Sequence, residues 1–197
     1  MRWLCLIVLL GSARAETITN LPGLIVHGGE RQYVEATGKV ATTEGVLEFI
    51  AVEKQGRDYE SLFTLDCRPA ALKFALLLIG CEPGESNGSP VTIDVEWAGK
   101  RIPVEQLLLD RHTKKSPPAL PWIFTGSYFT KSVLDGREVF MADEEQAFVA
   151  LWWQPSALIN LRQDFGNPYH GDAQGFDANT KALPPKDTPV KLIFRKQ

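Results

Sequence analysis

The sequence predicts an α+β fold in a single domain: a mostly antiparallel sheet of about eight to ten strands packed around one buried helix. Three observations carry this. Short segments of alternating apolar and polar residues recur along the chain and are separated by turn residues. One ten-residue stretch, residues 70–79, is apolar except for Lys73, as expected of a helix buried on most sides. The strand signals lie both before and after that helix, which leaves no safe boundary between two domains.

The first fifteen residues read as an export leader. Met1 and Arg2 form a short basic start, residues 3–10 an apolar run, and Ala13 and Ala15 place small residues where a signal peptidase reads, so cleavage is expected near Ala15/Glu16. The apolar run is far shorter than the ~20 residues needed to span a bilayer. Nothing later resembles a span, so the processed chain is not expected to be an integral membrane protein. Export places it in the periplasm or outside the cell. Loss of Arg2 and Arg14 takes the net charge from −3 to about −5, which argues against nucleic acid and against anionic membranes as main partners.

Residues 16–31 lack a sustained period and read as an N-terminal lead-in to a domain over 32–197. Val34, Ala36, Gly38 and Val40 alternate with Glu35, Thr37 and Lys39, which predicts a strand with one wet face. Residues 46–53 follow as a second strand, apolar on both faces except at Glu48, and residues 60–66 as a third that pairs with it. The helix over 69–79 has Pro69 in its first turn and Gly80 as its stop. Residues 91–97 alternate cleanly and turn at 98–100 into a partner strand. Residues 105–109 read as a helical turn and 122–129 as a strand. Asp135 and Gly136 mark a tight hairpin between 130–134 and 137–141. Residues 146–153 read as an apolar strand, 155–161 as a short helix, 163–185 as a long loop and 190–194 as the closing strand.

Leader removal leaves Cys67 and Cys81. At ~1.5 Å per residue the intervening helix holds them more than ~10 Å apart, whereas a disulfide needs Cα atoms within ~7 Å. Two unpaired, buried thiols are expected.

Chemistry-bearing residues are sparse. Glu48 sits mid-strand with Val46, Ile50 and Val52 on its face, and a carboxylate there must be paired or protonated. Glu60 opens the neighbouring strand, with Ser61 beside it. Two nearby carboxyls that split their pKa values could do acid/base work, provided they converge in a pocket open to water and lack a basic partner. Asp164, His170, Asp172 and Asp177 lie among glycines and asparagines in the long loop, where oxygen ligands would suit Ca²⁺, but the spacing is not that of an EF-hand. No metal or other cofactor is assigned. The nucleophile-elbow, dinucleotide-binding and P-loop signatures are absent. Adjacent Trp152 and Trp153 would point to opposite faces of a strand, one into the core and the other either packed under the helix or exposed as a candidate contact surface.

The motifs at Gly38, Lys39, Val40; Val46, Leu47, Glu48; Tyr59, Glu60, Ser61, Leu62; and Ala75, Leu76, Leu77 through Gly80 to Pro83 and Gly84 resemble the YdjY domain. So do residues 122–127, then Ala142 and Asp143, then residues 183–185 and 188–190. The resemblance runs from about Gln32 to the end. It implies an exported bacterial protein of unknown activity, with Glu48, Glu60, Ser61, Trp122, Gly126, Ser127 and Asp143 on recurring motifs. Some relatives are described as ferredoxin-type because they carry cysteine clusters; Cys67 and Cys81 fall short of four ligands. The expected function is a non-enzymatic binding or accessory module with a protein or cell-envelope partner. The alternatives are a small-ligand or hydrolytic enzyme using Glu48 and Glu60, or a Ca²⁺-stabilised module.

Overall fold

The computed structural model describes residues 18–163, 168, 169 and 174–197. The segment read as a leader and three of the loop residues named as metal candidates, Asp164, His170 and Asp172, lie outside these residues.

The fold is a strand-rich α+β domain dominated by an 11-stranded sheet. Strands β1 (Ile18–Leu21) and β2 (Leu24–His27) form a hairpin around Pro22 and Gly23, and β2 pairs with β3 (Tyr33–Val40). Part of the segment read as a lead-in therefore belongs to the sheet. Leu24 and Val26 point inward, but two inward positions are too few to show a period in the sequence.

The stretch read as one strand over 46–53 is divided at Glu48 into β4 (Val46–Leu47) and β5 (Phe49–Glu53). A 3-10 turn at Asp58–Glu60 then leads into β6 (Ser61–Leu65), which pairs with β5 in parallel. Helix α1 (Pro69–Leu78) follows, and Gly80 beyond it takes a φ of +77°, the left-handed conformation that ends a helix. A hairpin of β7 (Val91–Trp97) and β8 (Lys100–Pro103) precedes a 3-10 turn at Val104–Leu107 and β9 (Leu108–Asp110).

The second half holds β10 (Trp122–Phe124), the separate hairpin of β11 (Phe129–Lys131) and β12 (Glu138–Phe140), and the single turn α2 (Met141–Glu144). Then come β13 (Ala147–Ala150), β14 (Ile159–Leu161), β15 (Phe176–Ala178) and β16 (Pro189–Lys196). The main sheet runs β10-β14-β13-β5-β6-β3-β16-β7-β8. The closing strand thus lies inside the sheet, antiparallel to both β3 and β7. A small second sheet, β4-β15-β9, uses the half-strand released at Glu48.

Three readings are corrected. Residues 159–161, expected as helix, form a strand, because a short apolar run has no period that separates the two states. The long loop contains β15, which is held by β4 and β9 rather than by any local signal. The hairpin does not turn tightly at Asp135 and Gly136. It opens into a wider turn closed by Ser132, whose N–H donates to the Arg137 carbonyl at 2.8 Å and whose carbonyl accepts from the Gly136 N–H at 2.9 Å.

Helix α1 packs across β2 and β3 and buries Pro69, Leu72, Ala75 and Leu76, an i, i+3, i+7 stripe. It is not buried all round as expected, because Phe74, Leu77 and Leu78 are exposed. Cys67 and Cys81 are unpaired and buried. Burial pushes the thiols up to about 12 and about 11, so at neutral pH neither is a thiolate nucleophile.

Candidate functional site

The parallel pairing of β5 and β6 brings Glu48 and Glu60 together at the end of their strands. The Glu48 N–H donates to the Glu60 carbonyl at 3.0 Å, so the side chains leave adjacent backbones. Both residues are buried, Glu48 to 5% and Glu60 to 6% exposure. Burial is the largest influence raising the Glu60 carboxyl above its ordinary value, followed by the charge of Glu48; Arg57 opposes the shift, and a hydrogen bond shared with Glu48 adds to it.

The convergence foreseen from the sequence is present, and so is a basic partner. Arg57, in the short crossover between β5 and β6, places a guanidinium nitrogen 3.1 Å from Glu48 and another 3.7 Å from Glu60. A third lies 3.8 Å from Glu145. Its guanidinium carbon stacks 4.4 Å from the centre of the Phe49 ring. Ser61 is turned away from reaction chemistry, since its hydroxyl donates to the Arg57 carbonyl at 2.6 Å and holds the crossover in place. The cluster has the geometry of a structural ion-pair network: one cation among three carboxylates, seated on an aromatic ring. Arg57 was missed in the sequence, although its i, i+3 spacing to Glu60 offered a signal.

Trp122, Asp143 and Asp177 also have structural partners among the described residues. Trp122 is buried, and its indole N–H donates to Glu105 at 2.8 Å; the same oxygen accepts the Leu120 N–H at 3.1 Å. Asp143 caps α1 from outside the helix. One carboxylate oxygen accepts the Ala70 N–H at 2.8 Å and the other pairs with Arg68 at 2.7 Å, in a helix whose own N-cap residue gives no side-chain bond. Ser127 is half-buried at a positive φ of 56°. Trp152 and Trp153 are both half-buried and lie beyond the end of β13, so they do not form the two-faced strand pair expected. Asp177 lies 3.4 Å from both Arg111 and Lys114, a setting that repels a cation.

A different surface stands out. Phe74, Leu77 and Leu78 on α1 and Tyr128, Phe129, Val133 and Leu134 on the β11–β12 hairpin are large apolar side chains left exposed. Lys73 joins the two groups. Its ammonium lies 4.6 Å from the Phe140 ring centre and 5.5 Å from that of Phe129, and Leu77 follows one helical turn later. The apolar face therefore runs from the helix onto the hairpin.

The family model of the YdjY domain matches residues 26–195. The chain belongs to the YdjY domain family. No curated protein and no solved structure matches it significantly. The match opens inside β2, ahead of Gln32, in keeping with the place of β2 in the sheet. Several motifs of the YdjY domain have structural explanations here. In residues 122–127, Trp122 is anchored on Glu105. The Thr125 hydroxyl is bound by the buried Asn160 side chain at 2.8 Å. Gly126 has a φ of +81° and leaves no room for a side chain, since a Cβ there would meet Pro83 at 2.4 Å.

Proposed function

We propose that this YdjY-domain protein is an exported, non-enzymatic binding or accessory module of the cell envelope that works through the apolar face of α1 and the β11–β12 hairpin. The export reading rests on the leader over residues 1–15, with cleavage near Ala15/Glu16 and action in the periplasm or outside the cell. The observation that supports the binding reading is the set of large exposed apolar side chains on α1 and on the β11–β12 hairpin, two elements that meet where Lys73 lies against the Phe129 and Phe140 rings. Isolated exposed apolar residues are ordinary, whereas a contiguous group marks an interaction surface.

The experiment is site-specific photo-cross-linking in the producing cell. A photoreactive side chain at position 77 should give a discrete envelope adduct that weakens when Phe74 is replaced by Ser. The same group at position 44, on the exposed turn beside β4, should give none. Equal labelling from both positions would refute a specific face.

A small-ligand or hydrolytic role has one favourable observation, the convergence of Glu48 and Glu60 with Glu60 held toward its protonated form. Arg57 opposes it by neutralising the pair. Loss of a ligand-induced stability shift on Glu60→Gln replacement, with the fold intact, would support that second reading.

A further inference from the structure

The tip of the β11–β12 hairpin is chemically out of place for a turn. Turn positions ordinarily carry Gly, Pro, Asn, Asp or Ser, yet Val133 and Leu134 occupy this one at 99% and 93% exposure. Neither side chain contributes to the core, and a β-branched residue brings no conformational advantage to a turn. The hairpin forms a sheet of its own, apart from the main sheet, and the two side chains lie at its exposed end.

Behind the tip the chemistry changes in order. Lys131 and Arg137 flank the turn. Phe129 follows, with Tyr128 just before it and Lys73 of α1 beside the Phe129–Phe140 pair. An apolar tip flanked by long cationic side chains suits a bilayer surface, with Val133 and Leu134 among the acyl chains and Lys131 and Arg137 reaching the level of the phosphates. The charge pattern fits as well. Lys131 faces Glu138 across the strands and Arg137 pairs with Asp135 at 2.5 Å. The hairpin therefore carries no net charge that would repel anionic lipid, and Lys73 at its root adds a positive one.

We infer that the β11–β12 hairpin inserts Val133 and Leu134 into the surface of a lipid bilayer, seating the domain on a membrane with the outer face of α1 turned toward the head groups. This deepens the binding reading above and rests on it, with the lipid surface as the partner. Membrane seating of this kind draws on burial of a few apolar side chains and is reversible.

The test uses the chain from Glu16, which holds every described element, in flotation with vesicles of phosphatidylcholine and of phosphatidylcholine mixed with phosphatidylglycerol. Both vesicles should carry the protein to a similar extent, since the two cations of the hairpin are matched by Asp135 and Glu138. The double variant Val133→Asp/Leu134→Asp should partition at least about tenfold more weakly, because two apolar side chains are withdrawn from the acyl layer. Its circular dichroism should be unchanged, since both sites are fully exposed. An environment-sensitive dye on Val133→Cys should shift to the blue with vesicles, and the same dye on Glu44→Cys should not.

Equal partitioning of the double variant, or binding only to anionic vesicles with no dye shift at 133, would overturn insertion. Failure to bind any vesicle would overturn the bilayer as partner. If the adduct from position 77 survived that failure as a protein adduct, the binding reading would stand without the membrane. Self-association abolished by the double variant would assign the tip to a second copy of the chain and equally overturn the inference.

Discussion

Replacement of Arg57 by Leu removes the cation of the Glu48–Glu60–Glu145 cluster while leaving an apolar side chain on Phe49. Taking one partner from a buried ion pair costs about 3–5 kcal/mol. The Arg57 side chain is 31% exposed, so water already screens part of its charge, and a loss of about 2–3 kcal/mol is expected near pH 8. In a domain of this size that lowers Tm by roughly 5–10 °C. The pH dependence is the diagnostic part. The folded-state value of Glu60 lies above its ordinary one, so the folded chain holds that proton more tightly than the unfolded chain. Stability therefore falls as pH rises from the ordinary carboxyl range through the folded value. Loss of Arg57 moves that value further up and widens the window of decline. Toward pH 4.5 and below the folded chain increasingly holds the Glu60 carboxyl protonated, and the deficit should shrink toward about 1 kcal/mol, the lost contact with Phe49. Urea unfolding from pH 4.5 to 8 measures this directly, and adding Glu60→Gln to the variant should recover much of the loss at pH 8. A deficit independent of pH would show that Arg57 acts by packing and would refute the electrostatic account.

Asp143→Ala should destabilise the domain by about 1 kcal/mol through loss of the cap on α1, whereas Asp143→Asn keeps an acceptor for Ala70 and should lose less; thermal melts of the two compare them. Glu105→Ala leaves the Trp122 indole N–H and the Leu120 N–H without an acceptor in the core, at about 1–3 kcal/mol for each, and the Trp122 environment can be followed by near-ultraviolet circular dichroism. Gly126→Ala must both hold a positive φ and displace Pro83, so a loss of about 1–3 kcal/mol in urea unfolding is expected. Phe74→Ser should change stability by less than about 0.5 kcal/mol, because the side chain is exposed.

Much of the fold was legible where local pattern and tertiary role agree. The alternation in residues 34–40 and 91–97 marked β3 and β7, and Pro69 and Gly80 framed α1 within a residue. The meeting of Glu48 and Glu60 also followed from the sequence, because adjacent strands bring their ends together. The rest depended on distant partners. β15 exists only through β4 and β9. The strand break at Glu48 arises because its two halves enter different sheets. Asp143 caps a helix far away in the chain, and no local pattern reports that. The outer residues of α1 were the most misleading: Phe74, Leu77 and Leu78 have the composition of a buried helix, and sequence alone does not separate burial within the chain from contact with something outside it.

The most direct measurement of the central claim is hydrogen–deuterium exchange on the chain from Glu16, with and without membranes isolated from the producing cell. The account predicts slowed exchange over residues 70–78 and 129–140, with residues 48–61 unchanged. Slowed exchange centred on the Glu48–Arg57–Glu60 cluster, with the helix and hairpin unaffected, would contradict it and place function at the carboxylates.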